Sequence, residues 1–321
     1  LKAPFPYFGG KSRVAAEVWR RFGDVPNMIE PFFGSGAVLL ARPTEPRTET
    51  VNDIDAYVSN FWRAVQAEPD AVAELVDWPI NECDLSARHK WLVTAARKRE
   101  HRERMRDDPD HYDVKIAAWW CWGWCCWIGS GWCEGEWHGR AETQGVHRKL
   151  PRLQPGGNGV HRKLPYLSTG GRGVNQSTRI GMLTDWMRAL SARLRRVRVC
   201  CGDWTRVLGP TPTIQQGITA VFLDPPYSAE AGRDNDLYAH DDTAVAHAVR
   251  EWALQYGDDP RFRIALCGYE GEHVMPETWE CLAWKAKGGY GLQRGDGQYV
   301  NKHRERVWFS PHCLRDGSKL F

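Results

Sequence analysis

The tetrapeptide Asp224-Pro225-Pro226-Tyr227 directly follows the apolar run Ala220-Val221-Phe222-Leu223. Proline has no backbone N–H and a fixed φ, so two in succession end a strand and leave rigid carbonyls that can only accept. A carboxylate, a donor-less carbonyl and an aromatic ring at one strand end suit a planar heterocycle that carries an amino group. Asp224 and the Pro225 carbonyl can each accept one amino hydrogen, and Tyr227 can stack on the ring. Taken alone, the four residues are equally compatible with a proline-stabilised turn.

Two further groups sit in comparable positions. Phe32-Phe33-Gly34-Ser35-Gly36 follows the short apolar run Asn27-Met28-Ile29-Glu30 and precedes a helical start at Ala37-Val38-Leu39-Leu40. Strand, glycine turn and helix in that order let a backbone approach a ligand closely. Glu49-Thr50-Val51-Asn52 reads as a second strand, ending in Asp53. Polar groups at the ends of strands in a β-α-β unit lie where open α/β sheets bind ligands.

The elements needed to position these groups are legible at both ends of the chain. Val14, Val18 and Phe22 lie on one helical face, and Tyr57 to Gln66 reads as a helix. Further on, Leu183–Arg195 is helix-like, Val197–Cys201 is a strand ending at Gly202-Asp203-Trp204, and Thr243–Gln255 is a helix before a strand at Arg263–Cys267. Residues 279–284 and 306–309 supply the last strands. Leu85–Arg106 reads as one long helix whose mixed-charge run is a solvated face.

The middle of the chain has a different composition. Seven of the 17 tryptophans fall between Trp119 and Trp137, in a block rich in cysteine that reads as packed core. Between His138 and Arg179 there are eight Lys and Arg residues against one acid, although the whole chain carries only +3. Gly145-Val146-His147-Arg148-Lys149-Leu150-Pro151 recurs as Gly159-Val160-His161-Arg162-Lys163-Leu164-Pro165. Two copies are too few for a solenoid. Glycine-rich cationic backbone suits a polyanion, and Arg148, Lys149, Arg162, Lys163 and Arg172 are candidate phosphate contacts.

Read together, Tyr7-Phe8-Gly9-Gly10-Lys11, the Phe33-to-Gly36 loop, Asp53, a long insert and a late Asp224-Pro225-Pro226-Tyr227 resemble the Dam-type S-adenosylmethionine-dependent DNA adenine-N6 methyltransferases. The resemblance covers roughly residues 1–60 and 195–310. Position 7 is Tyr where the family often has Trp, and the basic repeat has no counterpart in it. The implied fold is α/β, a Rossmann-like mixed sheet with helices on both faces and an inserted, mainly helical and loop-rich target-recognition domain. Residues 1–66 and 181–321 would form the catalytic domain, and residues 67–180 the insert.

The resemblance also implies roles. Glu30, Phe33, Gly34, Ser35 and Gly36 would pass beneath S-adenosylmethionine, the glycines because a Cβ would meet the cofactor. Asp53 would accept from the ribose hydroxyls, and Tyr7 and Lys11 would hold the methionine end, Lys11 through the carboxylate. Asp203 and Trp204 are candidates for the cofactor's adenine, with a helix cap as the plain reading of Asp203. Asp224, Pro225, Pro226 and Tyr227 would be catalytic, with Asp224 also near the cofactor, and a flipped adenine of duplex DNA would be the substrate.

Several alternatives are set against this reading. A dinucleotide fingerprint fails because position 39 is Leu rather than a third glycine. Cytosine-N4 methylation commonly uses Ser-Pro-Pro, so Asp224 favours adenine. RNA adenine methylation and an inactive DNA-binding protein of the same fold remain as alternatives. Cys121, Cys125, Cys126 and Cys133 with His138 lack paired Cys-x₂-Cys spacing, so no metal is expected. Mean hydropathy of −0.55 and the absence of an apolar run of ~20 residues exclude a membrane span. No leader is recognised, so a cytoplasmic location is expected, with a monomer or weak dimer and, in restriction-modification systems, a cognate restriction enzyme as partner.

Overall fold

The computed structural model describes residues 1–5, 7, 10–108, 110–127, 132–133, 178–227, 243–284 and 304–315. These form two compact units. One comprises Lys2, Phe8–Ile54 and Arg196–Phe321, the other Leu1, Ala3–Tyr7 and Asp55–Arg195. The basic repeat and its five candidate phosphate contacts, Arg148, Lys149, Arg162, Lys163 and Arg172, lie outside the described residues.

The first unit is a sheet. Its strands are β1 (Asn27–Glu30), β2 (Thr48–Asp53), β3 (Val197–Cys201), β4 (Thr219–Leu223), β5 (Phe262–Tyr269), β6 (Glu280–Ala283) and β7 (Glu305–Phe309). They lie in the order β3-β2-β1-β4-β5-β7-β6. The first five pair in parallel, with Asn27 opposite both Thr48 and Thr219, Glu49 opposite Val197, and Thr219 opposite Phe262. β7 runs antiparallel to β5 and β6. β1 and β4, at the centre, are buried along their whole length, as parallel strands covered on both faces must be. Ile29, Val221, Leu223, Ile264, Leu266 and Phe262 build one core with Val249 and Trp308.

Chain order reverses between β1 and β4, and in open parallel sheets that crevice, at the carboxyl ends of the strands, is where ligands bind. Glu30, Asp53, Asp203 and Asp224 all fall at or just past the carboxyl ends of β1 to β4. The sequence sets all four at this edge because each ends or closely follows one of these parallel strands.

Helix α1 (Ala15–Phe22) buries Val18, Trp19 and Phe22, the face read from the sequence. Its first turn is closed by the Lys11 carbonyl, which accepts from Val14 and Ala15 N–H at 3.0 and 2.9 Å. This fixes the Lys11 backbone at the helix entrance. α2 spans Ala37–Leu40.

The second unit, among the described residues, is helical: α3 (Ala56–Ala67), α4 (Pro69–Val76), α5 (Glu82–Leu92), α6 (Ala95–Asp107), α7 (Val114–Cys126) and α8 (Thr178–Leu194). α7 packs on α3, α4 and α5, and α8 on α3 and α4. So α3, and α8 beyond residue 180, which the sequence reading assigned to the catalytic segments, pack within this unit. The single helix expected over 85–106 is two helices. Val93 N–H closes α5 on the His89 carbonyl, and Thr94, at ψ 120°, leaves the helical region while its hydroxyl donates to the Lys90 carbonyl at 2.9 Å. Two consecutive β-branched residues favour such a break. α9 (Thr243–Tyr256) returns the chain to β5.

Among the described residues the tryptophan block supplies core. Trp120, Trp122 and Trp132 are almost fully buried, and the Trp132 indole donates to the Trp120 carbonyl at 3.0 Å. Cys121, Cys125, Cys126 and Cys133 are buried thiols, and burial pushes Cys126 up. Among the described residues no three potential ligands gather as a metal site, and no helix is long and apolar enough to cross a membrane.

This packing makes two predictions. A Cβ on Gly123 would fall 1.8 Å from Trp132 Cζ2. Alanine normally gains about 1 kcal/mol over glycine inside a helix. Here we expect Gly123→Ala to destabilise by about 1–3 kcal/mol through overpacking, measurable by urea unfolding.

The second concerns acid. His89, stacked on Trp127, and His101, stacked on Tyr57, are buried, and their pKa values are pushed down to about 4, chiefly by burial and then by Lys98 and His111 respectively. Below the unfolded value of 6.5 the unfolded chain takes up these protons first. Stability from these rings is therefore complete above about pH 6.5 and lost as pH falls toward 4, by on the order of 3 kcal/mol per ring at most. Melting temperatures between pH 7 and 4 should fall, and His89→Phe with His101→Phe should flatten that part of the profile.

Candidate active site

The end of β4 carries a buried cluster of charges. Lys11 Nζ, only 3% exposed, donates to Asp224 Oδ1 at 2.8 Å and lies 3.9 Å from Glu305 Oε2. The Tyr227 hydroxyl donates to Glu305 Oε2 at 2.8 Å and lies 3.2 Å from Asp224 Oδ1. The Lys11 ammonium stands over the Tyr227 ring, 5.2 Å from its centroid, while Tyr269 meets that ring edge-on at 4.6 Å. Burial by itself lowers the Lys11 pKa. Asp224 and Glu305 outweigh it and hold the ammonium well above the usual lysine range. Burial, then the negative charges of Asp224 and Glu305, drives the Tyr227 phenol well up, so it stays a donor. Glu305 is itself raised by burial, with Lys11 opposing.

Both contacts to Asp224 fall on Oδ1. Among the described residues Oδ2 takes no hydrogen bond. The carboxylate is half-buried and Pro225 is buried, so one acceptor oxygen stands at the strand end beside a carbonyl whose residue carries no donor.

The glycine loop is bound to the neighbouring strands. Gly34 N–H donates to Asp53 Oδ2 at 2.9 Å, and Phe33 N–H to the Asn52 carbonyl at 2.9 Å. Glu30, 2% exposed, accepts the Leu39 N–H of α2 at 3.2 Å, and its carboxyl is raised well above the usual range by burial, with Asp224 and Asp53 adding to this. Gly36 has φ +62°, and a Cβ there would fall 2.6 Å from Phe33 Cζ. Its need for glycine is thus met within the protein, by the turn and the Phe33 ring, whereas the sequence reading assigned that need to the cofactor. Ser35 is half-buried in the same turn.

Three other expected residues have contacts of their own. Tyr7 belongs to the helical unit, its ring 6.2 Å from Phe5 and 6.1 Å from Trp124. Asp203 Oδ1 accepts the Thr205 N–H at 2.9 Å and its hydroxyl, so this carboxylate caps the 3₁₀ turn that follows β3. Trp204 lies 6.2 Å from the Phe32 ring. The structure pairs Lys11 with Asp224, a partner that the sequence reading did not give it.

Two residues escaped the sequence reading. Asn52 donates its amide to the Pro31 carbonyl at 3.1 Å and the Gly202 carbonyl at 2.9 Å, fastening the ends of β1, β2 and β3. Glu305 is a buried carboxylate opening β7, and an acid one residue ahead of Val307-Trp308-Phe309 was the available signal.

A seven-stranded sheet with this order and an antiparallel β7, carrying acidic groups at the ends of its parallel strands, defines a Rossmann-like methyltransferase fold. Residues 7–106 match the family model for D12 class N6 adenine-specific DNA methyltransferases. Over these residues the chain is similar to that family, and the match indicates a DNA adenine methyltransferase. No curated protein matches it.

Proposed function

We propose that this chain transfers a methyl group from S-adenosylmethionine to N6 of an adenine everted from duplex DNA, and that the base is received at Asp224-Pro225-Pro226-Tyr227. The observation that carries this reading is the Asp224 carboxylate at the end of β4, held through Oδ1 by Lys11 and, among the described residues, with no hydrogen bond to Oδ2.

The donor set suits the cofactor. Asp53, at the end of β2, is a carboxylate of the kind that accepts ribose hydroxyls. Phe33 to Gly36 would line its path, with Glu30 bracing the loop from below and Trp204 at the adenine end. When bound, S-adenosylmethionine supplies an electrophilic methyl on a sulfonium, so no nucleophilic side chain is required.

What the residues must overcome is the weak nucleophilicity of N6, whose lone pair is delocalised into the ring. Asp224 Oδ2 and the Pro225 carbonyl each accept one amino hydrogen, which favours a pyramidal nitrogen and stabilises the positive charge that grows there. Pro226 keeps the strand from continuing, and Tyr227, its hydroxyl fixed on Glu305, closes the pocket. Holding the nitrogen in line with the methyl supplies the entropic part. Eversion costs a few kcal/mol, which contacts to the DNA must offset.

We assign those contacts to a target-recognition domain built from the helical unit and the basic segment, through Arg148, Lys149, Arg162, Lys163 and Arg172. Neutralising the first four should reduce the slope of log affinity against log salt by about 0.9 for each phosphate that is no longer neutralised. An unchanged slope would remove the segment from the DNA interface.

Sequencing for modified bases in DNA from an adenine-methylation-deficient host that expresses the chain tests the reading. N6-methyladenine in a fixed motif is the expected result. N4-methylcytosine, modification confined to RNA, or no modification would overturn it.

A further inference from the structure

We propose that Glu305 is a positioning residue for methyl transfer, setting both the net charge of the pocket and the direction of the Tyr227 hydroxyl. The inference rests on the reading that Asp224 receives the amino group, and it goes beyond the motif residues to a strand late in the chain.

The argument starts from a conflict. A carboxylate that must stabilise a growing positive charge is paired with an ammonium at 2.8 Å. Lys11 and Asp224 alone form a neutral pair, and a neutral pair gives little stabilisation to a cationic nitrogen. Glu305 supplies a second carboxylate 3.9 Å from the same ammonium. Lys11, Asp224 and Glu305 together then carry one net negative charge in a buried setting, where charge interactions are weakly screened. Lys11 can hold Asp224 in place without cancelling its field.

The Tyr227 hydroxyl has one proton and, among the described residues, faces Glu305 Oε2 at 2.8 Å and Asp224 Oδ1 at 3.2 Å. The shorter contact is to Glu305, so that carboxylate draws the phenol proton away from Asp224. Without it, the phenol and Lys11 would both bond Asp224 and drain the acceptor strength that the amino group needs. The strand geometry makes no demand for an acid here: position 305 lies opposite Tyr269 at the start of β7, ahead of Val307, Trp308 and Phe309.

The test is steady-state methyl transfer by full-length Glu305→Gln on duplex DNA containing the modified site, with unfolding melts as a control. Gln keeps the size of Glu305 and an acceptor for Tyr227, but removes the charge. The expected result is a kcat lowered roughly ten- to a hundredfold, with KM for S-adenosylmethionine and for DNA within about twofold and 2-aminopurine fluorescence at the target site still reporting eversion. A kcat within twofold of the parent, or a loss explained by KM alone, overturns the proposal. If the Gln variant does not fold, Glu305→Asp takes its place. It keeps the charge but withdraws it from Tyr227, and a several-fold lower kcat is expected where an unchanged one overturns the proposal. Failure of the underlying reading has a separate signature, because the parent enzyme itself would then leave adenine unmethylated.

Discussion

Asp224→Ala is expected to reduce methyl transfer by at least about 10²–10³-fold, the scale on which one aligned charge-stabilising group acts in a preorganised site. The substitution removes the acceptor for one amino hydrogen and the charge placed against the nitrogen at the end of β4. It also leaves Lys11 facing Glu305 across 3.9 Å. The pocket then loses its net negative charge, and the field that would stabilise the cation growing on N6 goes with it. The cofactor donors at Asp53 and the glycine loop do not rest on Asp224, so S-adenosylmethionine binding should survive in large part. Tritiated methyl transfer to unmethylated DNA, with cofactor affinity measured by calorimetry, separates the two. Retained activity would dismiss the mechanism.

The second large effect concerns stability. Lys11→Met should destabilise the chain by about 3–5 kcal/mol, the cost of breaking a buried ion pair and leaving its partner uncompensated. Two carboxylates, Asp224 and Glu305, would then face one buried site without this cation. Glu305, already raised by burial, would lose the cation that opposes the rise, so the folded variant would bind more protons. Its stability would fall as pH rises through the Glu305 titration and recover as pH is lowered. The deficit against the parent should therefore be largest near pH 8 and shrink toward pH 5 in paired denaturant titrations. A deficit independent of pH would mean that Lys11 contributes packing alone.

Much of the site was legible because strand ends announce themselves. Asp53 ends one strand and Asp224 directly follows another, apolar one, and a parallel sheet has its ligand crevice at those ends, so finding the strands singled out these candidates. The helix before β1 and the strands from Val197 to Phe309 were readable for the same reason, hydrophobic periodicity. The break at Val93-Thr94 was not, because a mixed-charge helix offers no apolar stripe whose interruption could mark an end. Gly36 was recognised as necessary, yet the cause lies in a positive φ and a neighbouring ring, both properties of the turn.

The order of motifs pointed to the family whose model residues 7–106 match, since a motif depends on local residue types that no folding can alter. Pairing was decided in three dimensions. Lys11 and Asp224 are separated by more than two hundred positions, and Glu305 by eighty more, and each alone looks like an ordinary surface charge. Only the adjacency of β1 to β4, and of β5 to β7, buries the three together, and burial is what turns separate charges into one electrostatic unit.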